Sequence, residues 1–153
     1  MLTLNNLISK LNTIATNHLQ IKHFGYGDLW EILEKNSLEP MDYPIMWVVI
    51  QTANTTNATM TYNFTVVVGD LVNKDESNEL EVQSDTILIC KDIISEIKAL
   101  ADDDTEDIYF DSNNDTQWVL NPFTERFDDE LSGWSFDFAI TIPYTNSDCV
   151  TPK

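Results

Sequence analysis

The sequence predicts an α+β fold in which two main helices pack on one face of a mostly antiparallel sheet. Two segments place apolar residues at spacings of three and four, the pattern of an amphipathic helix. Other segments alternate apolar and polar residues, or run apolar for the length of a strand. Because the chain has 153 residues, 42% of them hydrophobic, we expect a single domain over residues 1–153.

The first predicted helix lies within residues 2–21, where apolar side chains recur on one face. Thr3 is its expected N-cap, because a threonine hydroxyl can accept a hydrogen bond from a free N–H of the first turn. His18 falls beside the apolar stripe and is expected to pack at its edge rather than to bind a ligand. The predicted apolar face comprises Leu4, Leu7, Ile8, Leu11, Ile14 and Ala15.

Two glycines, Gly25 and Gly27, are expected to end this helix. Asp28 then caps a predicted short helical turn, whose apolar residues are Trp30, Ile32 and Leu33. The G-x-G spacing lacks a third glycine and the strand–helix context of a nucleotide-binding loop. It therefore predicts no nucleotide site.

Two strands are predicted to form an antiparallel hairpin. Residues 43–51, "YPIMWVVIQ", are a continuous apolar run, which is typical of a strand covered on both faces. Residues 60–70 alternate, and residues 52–59, "TANTTNAT", supply a polar turn between the two strands. The predicted apolar face of the second strand comprises Met60, Tyr62, Phe64, Val66 and Val68.

The second main helix is predicted over residues 84–104, after an exposed acidic loop or hairpin extension at residues 71–84. Ser84 and Asp85 supply the expected N-terminal signals. Cys90 lies on the apolar face, and we expect it and Cys149 to be reduced and chemically inert. The stripe comprises Ile87, Cys90, Ile94, Ile97 and Ala101, widened by Ile93 and Leu100.

The last third of the chain is predicted to be β-structure. Residues 107–110 and 117–120 are expected to form short strands, and Pro122 begins a connection to the final strand. Gly133 is expected to mark a bulge or bend, and Pro143 to end the strand. The core residues predicted for this strand are Trp134, Phe136, Phe138 and Ile140, with Leu131 and Ile142 on the same pattern.

The charge is the strongest feature of the composition. The chain has 26 acidic and 8 basic residues, a formal net charge of -18. This charge argues against binding of nucleic acid or an anionic membrane, and no apolar run is long enough to span a bilayer. Three interpretations stay open: a solubilising surface, a wall that repels DNA, and mimicry of DNA.

The sequence contains no phosphate-binding loop, no G-x-S-x-G nucleophile motif and no cluster of histidine and cysteine ligands. It therefore predicts no enzyme, no cofactor and no metal site. Asp111, Asn113 and Asp115 have the spacing of a calcium loop. That segment lacks the glycine expected at the sixth position, and Pro122 stands where the loop needs a bidentate glutamate. We therefore do not predict calcium binding.

Several stretches in serial order resemble a known group of proteins. They are similar to small virion proteins of tailed phages that infect Bacteroidetes, including the crAss-like phages, which in turn look similar to tail-terminator or tail-completion proteins. The resemblance extends over nearly the whole chain. The stretches are "HFGYGDLWEI", "DYPIMWVV", "YNFTVVVGDLV", "VQSDTILICKDII" and "DDELSGWSFDFAITIP".

The resemblance implies a tail-terminator-like ring subunit of the phage neck or tail, assembled in the host cytoplasm and resident in the virion. Such a ring joins the portal to the tail and lines a channel through which DNA passes without specific binding. The implied partners are copies of the chain itself, in a ring of twelve rather than six, together with the portal and adjacent tail or ring proteins. The family carries no catalytic residues.

The charge density then predicts an acidic surface that faces the channel lumen or an adjacent ring. Two other functions stay open, an acidic DNA-mimic inhibitor of a host DNA-binding protein and a small metal-dependent enzyme. The candidate acidic residues are Asp75, Glu76, Glu79, Glu81, Asp102, Asp103, Asp104 and Glu106.

Overall fold

The computed structural model describes residues 2–28, 42–73, 75, 77–101, 108–110, 118–126 and 130–144. These residues contain two helices and six strands. The helices are α1 (Leu4–Asn17) and α2 (Glu79–Ala101). The strands are β1 (His23–Tyr26), β2 (Ile45–Thr55), β3 (Thr59–Leu71), β4 (Tyr109–Phe110), β5 (Leu120–Arg126) and β6 (Glu130–Pro143).

The strands form one mixed sheet in the order β1-β2-β3-β6-β4, and β5 also pairs with β6. β1 runs parallel to β2, whereas every other pairing is antiparallel. Both helices contribute to the main core on one face of the sheet, where α2 lies against β3 and β6 and α1 lies against α2 and β1. The predicted α+β class with a mostly antiparallel sheet is confirmed.

Helix α1 begins as the sequence predicts. The Thr3 hydroxyl accepts a hydrogen bond from the Asn6 N–H, and the Asn6 side chain accepts one from the Thr3 N–H, which completes a capping box. Of the predicted apolar face, four residues are fully buried while Leu4 and Ile8 pack at its border. The buried residues are Leu7, Leu11, Ile14 and Ala15.

The segment around Gly25 differs from its prediction. Residues 23–26 form the edge strand β1, whose backbone pairs in parallel register with residues 45–48 of β2. Its local sequence, "HFGY", carries too little periodicity to indicate a strand, so the pairing with β2 decides the conformation. The predicted short turn with Trp30, Ile32 and Leu33 lies outside the described residues.

The predicted hairpin is present as β2 and β3, but residues 52–55 and 59, predicted as turn, belong to the strands. Residues 45–48 are all buried, because the sheet is covered on both faces at this end. Met46 and Val48 point into the main core, whereas Ile45 and Trp47 join Val67 and Leu131 in a second cluster on the opposite face. This arrangement explains the uninterrupted apolar run in the sequence.

Helix α2 begins at Glu79, five residues before the predicted start at Ser84. Residues 79–83, predicted as loop, are helical: Val82 extends the buried face, and Glu79 and Glu81 suit the positive end of the helix dipole. The buried face is also rotated from the prediction, because Ile87, Leu100 and Ala101 are only half-buried. The buried residues are Val82, Thr86, Ile89, Cys90, Ile93, Ile94 and Ile97.

Strand β5 corrects the predicted connection. Residues 120–126, including Pro122, pair with β6, and Pro122 lies opposite Trp134. Proline lacks an N–H donor but fits a strand that pairs on one side only, and among the described strands β5 pairs with β6 alone. Of the predicted strand at residues 117–120, Leu120 belongs to β5, Trp118 and Val119 precede it, and residue 117 lies outside the described residues.

Gly133 does not form a bulge, contrary to the prediction. It pairs with Gly69 within an unbroken register between β3 and β6. A Cβ atom on Gly133 would lie 1.9 Å from the Val68 carbonyl oxygen, so the close approach of the two strands requires glycine.

Strand β6 supplies the centre of the core, as predicted. Phe136, Phe138 and Ile140 are fully or almost fully buried, and the Phe138 ring stacks on Phe64 with centroids 5.4 Å apart. Trp134 is half-buried, and its indole N–H donates to the Gln83 carbonyl oxygen at 2.8 Å. The alternation therefore identifies the face that packs against α2.

Candidate functional site

The first predicted acidic segment leads into the N-terminus of α2. Asp75 is exposed, and hydrogen bonds from the Ser77 hydroxyl and N–H lower the pKa of its carboxyl group. Glu79 is half-buried, and its Oε1 accepts a hydrogen bond from the Thr124 hydroxyl at 2.7 Å. Glu81 is exposed. Glu79 therefore connects α2 to β5, while Asp75 and Glu81 present their charges to solvent.

The second predicted acidic segment follows the C-terminus of α2. Asp102, Asp103, Asp104 and Glu106 lie outside the described residues, as does Glu76 of the first segment. Helix α2 has 23 residues. At about 1.5 Å per residue its two ends are roughly 33 Å apart. The described residues of the first segment therefore lie at the end of α2 opposite to the one from which the second segment continues.

An acidic stripe runs along the exposed side of α2. The sequence intervals of four, seven and four between its members place them on one side of the helix. Leu88, which is 56% exposed, lies between the second and third carboxylates. The members of this stripe are Glu81, Asp85, Asp92 and Glu96.

The stripe is sparser than a DNA strand. Its carboxylates rise by roughly 6, 10 and 6 Å along the helix axis. A DNA strand carries one phosphate for about every 3.4 Å of its axis. Because the spacing is wider and Leu88 interrupts it, the stripe reproduces the charge of DNA poorly.

A groove of about 520 Å³ lies between the end of α1 and the exposed side of α2. His18 is the C-cap residue of α1, and its Nε2 atom lies 3.0 Å from Asp92 Oδ2. The Gln20 N–H points at Nδ1, 3.2 Å away, so Nδ1 accepts a hydrogen bond and Nε2 carries the hydrogen donated to Asp92. His18 is thus engaged as a contact between the two helices at the edge of the apolar face.

The β2–β3 hairpin forms a surface of a different kind. Residues 43–69 contain no aspartate, glutamate, lysine or arginine, although the chain as a whole has a net charge of -18. Residues 51–58, at the far end of the hairpin, are all exposed. We call residues 49–59 the uncharged hairpin tip.

Polar side chains on the open face of the sheet, at and beside the uncharged hairpin tip, hydrogen-bond mainly to one another. Gln51 Nε2 donates to the Thr65 hydroxyl at 3.0 Å, and Asn63 Nδ2 donates to the Thr52 hydroxyl at 2.9 Å. The Thr61 and Thr141 hydroxyls are 2.8 Å apart. The Thr65 hydroxyl in turn donates to Asp137 Oδ1, so this surface is polar and largely self-satisfied but includes one carboxylate beside the uncharged hairpin tip.

The uncharged hairpin tip has no predicted function: the sequence predicts the end of a strand over residues 49–51 and a polar turn over residues 52–59. Its signal is visible in the sequence as the longest run without a charged residue, residues 43–69. Among the described acidic residues, Asp75, Glu79 and Glu81 follow the end of β3 that is far from this tip, so the fold does not combine them with it into one site.

Three observations concern chemistry and membranes. Within the described ranges, no group of three histidine, cysteine, aspartate or glutamate side chains is arranged to hold a metal ion.

Cys90 is buried, and desolvation raises the pKa of its thiol to about 12. No helix in the described part of the chain is both long and apolar enough to cross a bilayer.

No protein-family model matches the chain, and no curated protein matches it either.

Proposed function

We propose that the chain is a virion structural protein, a subunit of an oligomeric ring in the neck or tail of a tailed phage. The ring joins the portal to the tail and lines the channel for DNA. The observation that carries the proposal is the separation of charge within the chain: an exposed hairpin free of charged residues stands on a domain with a net charge of -18.

The uncharged hairpin tip suits contact between identical subunits. Copies of so acidic a chain repel one another wherever their charged surfaces approach. Contact surfaces between proteins are depleted of charged residues at their centres. A ring in which each subunit meets the next through the uncharged hairpin tip avoids that repulsion, and the side-to-side contact closes by rotation.

The acidic surfaces suit the other requirement of the ring, passage of DNA without adhesion. A protein binds DNA by neutralising phosphates with lysine and arginine, and the chain has only 8 basic residues against 26 acidic ones. Asp75 and Glu81 at one end of α2, or residues 102–106 after its other end, face the lumen or an adjacent ring in this proposal.

The remaining partners follow from the resemblance to tail-terminator-like proteins. The ring has twelve copies in preference to six, docks on the portal and receives the adjacent tail or ring protein. It needs no cofactor and catalyses no reaction. The subunit is made in the host cytoplasm and remains in the virion after assembly.

Quantitative mass spectrometry on purified particles from the source, with the portal protein as internal standard, tests the proposal. A fixed ratio near one copy per portal subunit indicates a twelve-fold ring, and half that ratio indicates a six-fold ring. Absence from intact particles would overturn the proposal. A salt-dependent pull-down of a basic host protein would then test the DNA-mimic alternative, for which the acidic stripe on α2 is the relevant surface.

The assignment of the acidic surface has its own test. Simultaneous replacement of Asp102, Asp103 and Asp104 by lysine is expected to impair ring stacking or DNA ejection, because cations would attract DNA phosphates. A matched control reverses three exposed carboxylates outside the two segments, Asp42, Asp85 and Glu96. Intact stacking and intact ejection in the first variant would remove residues 102–104 from the lumen or the ring contact.

A further inference from the structure

We infer that the outer edge of β2 over residues 49–55 binds a second copy of this chain, whose backbone adds a strand to the sheet. The inference rests on the proposed function, because it names the contact through which neighbouring ring subunits join. Three observations support it: a backbone edge with which no described strand pairs, the lack of protective residues along that edge, and the distribution of charge.

The first observation is the open backbone edge. β1 pairs with β2 over residues 45–48. The Gly27 N–H donates to the Val48 carbonyl oxygen at 3.1 Å, so this hydrogen bond also ends at Val48. β2 continues to Thr55 in its ladder with β3. On its other side, no strand among the described residues pairs with residues 49–55.

The register shows which backbone groups face outward. In an antiparallel ladder, every second residue turns its N–H and C=O away from the partner strand. Val48 turns its carbonyl toward β1, and Val48 pairs with Val66 of β3. The later β2 residues that pair with even-numbered residues of β3 behave like Val48. They turn their backbone N–H and C=O groups away from β3, toward the open side. These residues are Ile50, Ala53 and Thr55.

The second observation is the lack of protective residues. Natural edge strands avoid pairing with other chains through charged side chains, prolines, bulges or a short length. Residues 45–69 contain no proline and no charged residue. A bulge lies between Ile50 and Thr52, but the ladder resumes beyond it and leaves Ala53 and Thr55 on the open side. The exposed side chains there are short, so another backbone can approach.

The third observation identifies the occupant as a second copy. A basic partner is attracted to carboxylates, of which the chain has 26, and gains nothing from an uncharged edge. A strongly acidic partner is repelled by the surfaces that carry these carboxylates, but it can approach the uncharged hairpin tip without charge repulsion. The chain itself is such a partner, and strand addition supplies backbone hydrogen bonds that need no charge.

Ala53→Pro tests the contact. Proline at this position removes an N–H that faces away from β3, so the β2–β3 ladder keeps its bonds while the incoming strand loses a donor. Sedimentation equilibrium of the full chain over a range of concentrations measures self-association. We expect the wild type to associate and Ala53→Pro to associate at least about tenfold more weakly, from the loss of backbone hydrogen bonds at each contact.

A second pair of variants keeps the test independent of the proline. Thr55→Glu places a charge on the open edge, whereas Ser84→Glu places the same charge on the exposed surface of α2. We expect Thr55→Glu to weaken association and Ser84→Glu to leave it unchanged. Circular dichroism confirms that each variant is folded, and if Ala53→Pro is unfolded, the glutamate pair decides the question.

The outcomes separate this inference from the proposed function. Equal association of the wild type, Ala53→Pro and Thr55→Glu would overturn the edge contact, as would a wild type that stays monomeric at every concentration. Neither result alters the ratio to portal protein in particles. A fixed ratio in particles together with unchanged association of the edge variants would retain the ring and reject this edge.

Discussion

The indole ring of Trp47 lies directly against Gly25, its register partner on the neighbouring parallel strand β1. A Cβ atom on Gly25 would lie 2.0 Å from Cζ3 and 2.2 Å from Cε3 of that ring. Trp47 is completely buried, and its Nε1–H donates to the Gly27 carbonyl oxygen at 3.1 Å. The short strand β1 is thus fixed to the sheet by the largest side chain of β2.

Gly25→Ala is therefore expected to destabilise the fold by about 1–3 kcal/mol, the usual cost of forcing a methyl group into a packed core. The Trp47 ring cannot move away without losing its hydrogen bond to Gly27. Gly69→Ala is the matched control, because its Cβ would lie 3.3 Å from the Phe123 ring edge and 3.7 Å from the Ser132 carbonyl oxygen, which is far less crowded. Urea unfolding of both variants measures the difference, and equal stabilities would contradict the prediction.

Thr3→Ala is expected to lower the free energy of unfolding by about 1 kcal/mol, because it removes the N-cap acceptor and breaks the capping box with Asn6. Thr13→Ala changes the same side chain inside α1, where the hydroxyl bonds only to the Ser9 carbonyl oxygen. Thermal unfolding followed by circular dichroism compares the two. If Thr13→Ala lowered the free energy of unfolding as much as Thr3→Ala does, the N-cap would have no special role in stability.

The parts of the fold that the sequence predicts well are those with a long periodic signal. Helix α1 and strands β3 and β6 repeat their apolar residues over many positions, and the structure buries most residues of the predicted faces. β1 has only four residues, and its conformation depends on pairing with a strand some twenty residues later. The start of α2 lies outside the predicted helix, because only Val82 among residues 79–83 is buried and a single buried residue gives no periodic signal.

The candidate surfaces show the same division. The acidic segments and the uncharged run are visible in the sequence, because charge is a local property. The bond from Thr124 to Glu79 joins residues 45 positions apart, and the contact of His18 with Asp92 joins residues 74 positions apart. Such contacts depend on tertiary packing, so no local pattern separates Glu79 from the freely exposed Glu81.

Cys90 is expected to resist alkylation in the folded chain, because the thiolate is the reactive form and burial raises the pKa of this thiol to about 12. With Cys149 replaced by serine, iodoacetamide should label none of the folded protein and one site per chain in denaturant. Mass spectrometry counts the labels. Rapid labelling of Cys90 under native conditions at neutral pH would contradict its burial between α2 and the sheet.

Asp70→Asn is expected to stabilise the protein at neutral pH. Burial raises the pKa of the Asp70 carboxyl above its ordinary value of 3.8, the Leu71 N–H bond opposes that shift, and the nearby Asp85 charge adds to it. A carboxylate whose pKa is raised in the folded state lowers stability when it is ionised. Asparagine keeps an oxygen that can accept the Leu71 N–H, now at 2.8 Å, and carries no charge.

The gain from Asp70→Asn should depend on pH in a defined direction. It is fully present above the raised folded pKa, declines as the pH falls through that value, and is absent below 3.8, where the aspartate is protonated in both states. Its size is roughly a few tenths of a kcal/mol, because Asp70 is only half-buried and solvent screens its charge. Asp42→Asn, at an exposed position, is the control for reduced net charge. Urea unfolding at neutral and acidic pH measures both variants, and a gain for Asp70→Asn that is independent of pH would contradict desolvation as its cause.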